Sequence, residues 1–162
     1  PAVALKRAGV TVALGTDNVA ANNSYDMVSE MRVAGLVASH RERVAQPLSA
    51  RELIRMATIE GAKALGLEHE IGSLEVGKAA DIAAFDLRGA GYSETPDPET
   101  LLVYSGSGRD LRHLWVAGEQ LVADRQLMRK PFDQIRREYS ATYRSFWERV
   151  AAAKKTPNKE VA

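Results

Sequence analysis

The sequence contains no cysteine. Disulfides, thiolate zinc sites and cysteine nucleophiles are therefore excluded. Histidine is scarce: His40, His69 and His113 are the whole supply, and none is paired or follows an apolar strand. No stretch approaches the run of about 18 apolar residues that a membrane span requires, so no membrane association is expected. The formal net charge is +1 over 162 residues. No global field then favours nucleic acid. The C-terminal end is locally basic at Arg136, Arg137, Arg144 and Arg149. Asp133, Glu138 and Glu148 are interleaved with them, the pattern of a solvated helix face. Pro1 to Lys6 lacks a basic segment followed by an apolar core, so no signal peptide is read there, and the expected location is the cytoplasm. The first residue is not Met and the opening residues read as the interior of a helix. That suggests a segment cut from something longer, and removal of an initiator Met before a Pro is an equally physical explanation.

What is present has the composition of a folded globular chain, with 45% hydrophobic and 27% charged residues. Residues 2–8 have a helical pattern closed by Gly9. Val10-Thr11-Val12-Ala13-Leu14 is short, β-branched and apolar on both faces, which suits a parallel strand covered on both sides. Gly15-Thr16-Asp17-Asn18 breaks it. A polar loop runs to Asn23, and Ser24 is a candidate N-cap. Residues 25–40 are helical in pattern, with Met27, Val28, Met31, Gly35 and Val37 near one stripe. Beyond a break at Gln46-Pro47-Leu48, Ser49 and Glu52 form a capping box. It opens a helix that runs to about Leu65 and ends at Gly66, with Leu53, Met56, Ala57 and Ala64 on its buried face. Helix, strand, loop, helix, helix is the order of the closing piece of an α/β barrel or an open α/β sheet.

The character changes after Gly66. Ile71 to Lys78 is rich in turns. Ala80 to Leu87 reads as a strand, and residues 88–100 as a Gly/Pro/Ser-rich loop. Leu111 to Val116 and Leu121 to Ala123 read as strands joined by a hairpin turn at Ala117-Gly118-Glu119-Gln120. Three short antiparallel strands are marginal alone, so a further segment is expected to complete that sheet. Residues 132–153 read as a terminal helix. Its Phe132, Ile135, Tyr139, Tyr143, Phe146, Trp147 and Val150 recur at three- and four-residue spacing, as a packing face does. Residues 154–162 read as a disordered tail.

Asp17 is the residue most suited to chemistry. A carboxylate directly after a buried parallel strand sits at the strand's C-terminal end, which in an α/β barrel is the active-site mouth. There it can hold a divalent metal or take a proton. It can equally serve as a loop or helix cap. Glu75 and Lys78 lie in a turn motif, and Asp81 and Asp86 flank a strand they are expected to cap. Gly106-Ser107-Gly108 lacks the strand–helix context of a phosphate cradle.

Ala8-Gly9-Val10-Thr11-Val12-Ala13-Leu14-Gly15-Thr16-Asp17-Asn18, followed by Ala21-Asn22-Asn23-Ser24-Tyr25-Asp26-Met27, resembles the last barrel strand and loop of the metal-dependent amidohydrolase superfamily. The similarity is to the chlorohydrolase/deaminase branch, with its S-adenosylhomocysteine/methylthioadenosine deaminases and triazine hydrolases. Met56-Ala57-Thr58 with Gly61-Ala62 and Ala64-Leu65-Gly66-Leu67 is similar to that group's next helix. Ile71-Gly72-Ser73-Leu74-Glu75-Val76-Gly77-Lys78 with Ala80-Asp81-Ile82 resembles its return into a small β-sandwich. Leu101-Leu102-Val103-Tyr104 and Val116-Ala117-Gly118 also match.

The resemblance implies an α/β fold. Residues 1–70 would be the last strand and helices of a (β/α)8 barrel, 71–125 the C-terminal strands of a β-sandwich, and 126–153 a terminal helix. It implies a metal-dependent hydrolase acting on carbon–nitrogen bonds other than peptide bonds in amine-bearing heterocycles. Asp17 would bind zinc or iron and shuttle protons, with Asn18, Asn22 and Asn23 near the substrate. Two positions depart from the pattern, which has Gly after the Asp and Ser before the paired Asn. Asn18 and Ala21 stand there, and Asn tolerates the left-handed backbone that Gly would supply. The family's His-x-His pair and later histidines are not in this chain, and His40, His69 and His113 read as structural or solvent-facing. Its partner would be the N-terminal barrel part of the same enzyme, with a homo-oligomer as a further option. The fragment alone is expected to be inactive. A non-catalytic remnant, or a domain that binds a partner, is the competing reading.

Overall fold

Ala2–Arg7 form α1, and the chain leaves it through Gly9 at φ 78°. In this computed structural model, which describes residues 1–89 and 91–155, Val10 to Leu14 is not a strand. A parallel strand exists only through its ladders, and no strand among the described residues runs beside it. Val12 and Leu14 lean on the core, and the Leu14 amide donates to the Met56 carbonyl at 3.0 Å. Thr11, Ala13 and Val10 are exposed.

The chain divides into two units, Pro1–Arg125 and Gln126 to the C-terminus. In the first, α2 (Val19–Asn22) leads to α3 (Met27–Glu42). The cap of α3 is Asp26 rather than Ser24, whose hydroxyl instead accepts from the Asp26 amide at 3.1 Å. The stripe of α3 that is covered is Val28, Met31, Gly35 and Ala38. Val37, expected on that stripe, is 59% exposed. The Ser49–Glu52 capping box is present and opens α4 (Ala50–Ala57). The expected single helix is broken at Thr58 (φ −128°, ψ −98°), and α5 (Ile59–Leu65) resumes after it, ending in left-handed Gly66. A β-branched residue with a hydroxyl is suited to such a break, and Thr58 Oγ1 donates to the Ile54 carbonyl at 2.8 Å.

The composition of 88–100 reads as loop, and no helix is expected between it and the strand at Leu111. Pro98–Ser105 form α6, with Asp97 as N-cap and Pro98 in its first turn, a start signal in its own right. Val3, Val28, Met31, Leu48, Leu53, Met56 and Val103 make one buried core between α1, α3, α4 and α6. Gly35 lets these helices close: an added Cβ would lie 2.8 Å from Tyr104 Oη and 2.9 Å from Leu53 Cδ1.

Three strands of this unit form a sheet ordered β1 (Ile82–Phe85), β2 (Leu111–Val116), β3 (Glu119–Ala123). Both pairings are antiparallel, with a register shift in each. The β2–β3 turn has Ala117 at φ 49° and Gly118 at φ 81°, the two left-handed residues of a two-residue hairpin. Asp81 does cap: its Oδ1 accepts from the Ala117 amide at 2.7 Å. Asp86 instead pairs with Arg88, Arg112 and Arg125. The Arg88 hydrogen bond leads in holding its pKa at about 2. The turn before β1 is tied by Lys78, whose ammonium donates to Ser73 Oγ at 2.6 Å and to the Glu68 carbonyl.

Two charged side chains of α3 fasten the segment that joins α6 to β2. Arg32 donates to the carbonyls of Val103 (3.0 Å) and Gly106, the last turn and cap of α6. Asp26 caps α3 through the Val28 and Ser29 amides and also accepts from the Gly108 amide at 3.1 Å. Gly108 opens a single 3-10 turn, Gly108–Asp110.

The second unit begins with a two-residue strand, Gln126–Leu127, and continues as α7 (Phe132–Lys155). Residues 156–162, most of the expected tail, lie outside the described residues. The expected packing stripe is exposed: Phe132, Tyr139, Tyr143, Phe146 and Trp147 all keep about half or more of their surface. The rings of Tyr139, Tyr143, Phe146 and Trp147 touch along the helix, with Tyr143 to Trp147 at 6.1 Å and Phe146 to Trp147 at 5.5 Å. No helix among the described residues is long and apolar enough to cross a membrane.

Two stability tests follow from this packing. Gly72 sits at φ 90°, and an added Cβ would lie 2.8 Å from Ala62 Cβ and 2.9 Å from Ile59 Cα. Gly72→Ala combines left-handed strain with crowding and should cost about 2 kcal/mol or more. Gly118→Ala, at φ 81° with nothing within 4 Å, should cost only about 1 kcal/mol. Equal losses in thermal melts of the two variants would show that α5 does not press on Gly72. At Asp26, burial pushes the pKa up, but hydrogen bonds from Gly108, Ser29 and Val28 outweigh it and hold the carboxyl below its ordinary value. A depressed folded pKa stabilises above the unfolded value of about 4, and the gain fades as pH falls through the folded one. Asp26→Asn should therefore lower the melting temperature near neutral pH, with the gap closing as the pH falls below the ordinary aspartate value and through the depressed folded one. A gap unchanged by acid would show that the charge contributes nothing.

Candidate functional site

The core-docked run at Val12 and Leu14 delivers the chain to Thr16-Asp17-Asn18, an exposed loop ahead of α2. Burial alternates along it: Val12, Leu14 and Thr16 are partly covered, while Ala13, Gly15 and Asp17 are exposed. Asp17 therefore emerges on the open face.

Its backbone is left-handed, at φ 57°. Aspartate tolerates this better than most residues, yet a non-glycine residue there still costs on the order of 1 kcal/mol. The sequence pattern places the left-handed turn at Asn18. Asn18 is extended (φ −89°, ψ 160°), and the left-handed residues are Asp17 and, after α2, Asn23 at φ 58°. Strain at an exposed acid between a docked segment and a helix is the kind that persists when its surroundings over-determine it.

The neighbours do so with specific bonds. Asp17 Oδ1 accepts from the Asn18 amide at 2.7 Å and from Asn18 Nδ2 at 3.3 Å. Thr16 Oγ1 donates to the Asp17 carbonyl at 3.2 Å. Asn18 is the N-cap of α2, accepting from the Ala21 amide at 3.1 Å. Asp17 Oδ2 makes no hydrogen bond to the described residues, and the residue is exposed.

The three asparagines part company. Asn18 and Asn23 are exposed, whereas Asn22 is partly buried. Asn22 Nδ2 donates to the Thr16 carbonyl at 2.7 Å and to Glu30 Oε1 at 2.5 Å. Glu30, on the first helical turn of α3, was not singled out from the sequence. Nothing in its local pattern marks it, because its partner lies eight residues away across the loop.

The histidines lie elsewhere. His40 is near the end of α3, and His69 is in a turn with its side chain almost fully exposed. His113 lies on β2, stacked on Trp115 at 5.6 Å and accepting at Nδ1 from the Asp124 amide at 3.3 Å. Among the described residues no three His, Cys, Asp or Glu side chains are grouped to hold a metal ion. A catalytic zinc takes about three protein ligands. The donor set of this chain, one carboxylate with Asn18 beside it, does not by itself fit such an ion. Two surface depressions are lined by other residues, one by Ile59, Lys63, His69 and Lys78 and one by Arg88, Tyr92 and Pro98 among others. Asp17 lines neither.

A sequence model of the amidohydrolase family matches residues 1–121. A 5-methylthioadenosine/S-adenosylhomocysteine deaminase from Teredinibacter turnerae is 46% identical over 127 residues, covering 78% of this chain and 29% of that protein. An S-triazine hydrolase from Gordonia rubripertincta is 38% identical over 144 residues, covering 89% and 30% respectively. The crystal structure of an adenosine deaminase from Xanthomonas campestris with bound zinc matches with a TM-score of 0.85 at 35% identity, over 94% of this chain and 34% of that one. The chain thus spans about 30% of the length of the curated relatives it matches.

Proposed function

The chain belongs to the amidohydrolase family, and we propose that it forms the C-terminal part of a metal-dependent hydrolase of carbon–nitrogen bonds other than peptide bonds. The substrate class is an amine-bearing heterocycle, supported by the names of relatives that act on adenosine derivatives and on triazines. Residues 1–70 close the barrel, 71–125 belong to the sandwich, and 126–153 are the terminal helix. The metal is zinc or iron, and the zinc bound to the similar adenosine deaminase supports the first. Asp17 is this chain's one ligand to it, and the remaining ligands come from the N-terminal barrel part of the same enzyme. Asn18, next to Asp17 in the chain, and Asn23, at the end of α2, are both exposed and contact the substrate.

The observation that carries this reading is Asp17 itself. It is an exposed carboxylate on a strained left-handed backbone, bonded through Oδ1 to Asn18. The helix that follows is capped by Asn18 rather than by Asp17, which leaves the acid available as a ligand or proton carrier.

The test is Asp17→Asn in the complete enzyme. Asparagine keeps the Oδ1 acceptor for the Asn18 amide, so the melting temperature should hold. Metal content by elemental analysis should fall, and turnover should drop on the order of a hundredfold or more, the scale of lost acid–base help. Unchanged turnover would identify Asp17 as a cap, since Asn and Asp cap alike. A second check reads the gene: the frame upstream of Pro1 should continue and encode a His-x-His pair. A stop codon immediately upstream would favour the non-catalytic remnant.

A further inference from the structure

We propose that Asn22 and Glu30 are positioning residues that hold the Thr16–Asp17 peptide and so set the direction of the Asp17 carboxylate. This rests on the reading of Asp17 as the functional acid. The carboxamide of Asn22 has two N–H donors, and both are engaged, one by the Thr16 carbonyl and one by Glu30 Oε1. The Thr16 carbonyl belongs to the peptide unit whose N–H is that of Asp17. Fixing that plane fixes the frame about which the Asp17 φ of 57° is measured. Without it, relaxation to an ordinary right-handed or extended backbone would swing the carboxylate away.

Glu30 is a good anchor for such a clamp. It sits on the first turn of α3, whose N-terminus is already pinned by the Asp26 cap and by the Asp26–Gly108 bond. Its bond to Asn22 is charge-assisted, hence shorter and stronger than a neutral one. The clamp also explains why adjacent asparagines differ in exposure. Asn23 stands outside, while Asn22 is turned inward with its donors consumed, so its NH2 group is not offered to a substrate. A carboxylate misplaced by about 1 Å can lose on the order of a hundredfold in rate, so a residue that never touches the substrate can still control turnover.

The experiment uses the complete enzyme with Asp17→Asn, Glu30→Ala, Glu30→Gln, Asn22→Ala and the double variant Asp17→Asn/Glu30→Ala. Glu30→Ala and Asn22→Ala should each lower kcat by about tenfold or more with KM nearly unchanged. Glu30→Gln, which retains an acceptor oxygen, should recover most of the loss. The double variant should be no slower than Asp17→Asn alone, because the clamp acts only through Asp17. Hydrogen exchange over residues 15–23 should quicken in Glu30→Ala. If Glu30→Ala folds poorly, Glu30→Asp, which keeps the charge and withdraws the oxygen, carries the same comparison. Full kcat in the Glu30 and Asn22 variants, with Asp17→Asn impaired, overturns this inference alone. So does a double variant whose losses multiply. Full turnover in Asp17→Asn overturns the reading of Asp17 and the clamp with it.

Discussion

The first two turns of α3 are the point on which the first unit depends. Within them Asp26, Glu30 and Arg32 each bond a different stretch of chain. Asp26 takes the Gly108 amide, Glu30 takes the Asn22 carboxamide, and Arg32 takes the carbonyls at the end of α6. All three are ionisable side chains meeting neutral groups, and such bonds are about twice as strong as neutral ones. The helix also contributes Val28 and Met31 to the core. One element therefore sets both the packing of α6 and the shape of the loop that presents Asp17.

That arrangement separates rigidity from chemistry. Asp17 is free at Oδ2 because its backbone is held by others: Thr16 through its carbonyl, Asn18 through the α2 cap, and Asn22 through Glu30. Left-handed backbone at a polar residue stores a little strain. It endures here because hydrogen bonds engage Thr16, Asp17, Asn18 and Asn22 together. The metal chemistry proposed for the complete enzyme would use a carboxylate already fixed in direction, which is how preorganised sites avoid reorganisation during reaction.

Much of this was legible in the sequence. Ser49 with Glu52, Gly66, and Ala117-Gly118 announced a helix start, a helix end and a hairpin, because each is a local signal with a local mechanism. Asp17 could be picked out from its place after an apolar run. Features that depend on distant partners could not. The Val10 to Leu14 run has strand chemistry, but a strand is a relation between segments, and no strand among the described residues lies beside it. The start of α6 carried its own signal at Asp97-Pro98, hidden in a stretch whose composition reads as loop, while Arg32 at its far end comes from another helix. The Asp26 cap displaced Ser24 because its two oxygens serve both α3 and Gly108. Glu30 had no local mark at all.

The exposed apolar groups bear on what the rest of the protein must supply. On α3, Val33, Leu36 and Val37 are each more than half exposed, opposite the covered stripe of Val28, Met31, Gly35 and Ala38. Helices apolar on both sides are covered on both sides. In the Val10 to Leu14 run, Val12 and Leu14 lean on the core while Thr11 and Ala13 are exposed. Asp17 emerges on that same bare side by the alternation of the run that leads to it. In the proposed enzyme, a segment that covered Ala13 would lie on the side where Asp17 emerges. That is the position from which the missing metal ligands of the proposed site would have to come.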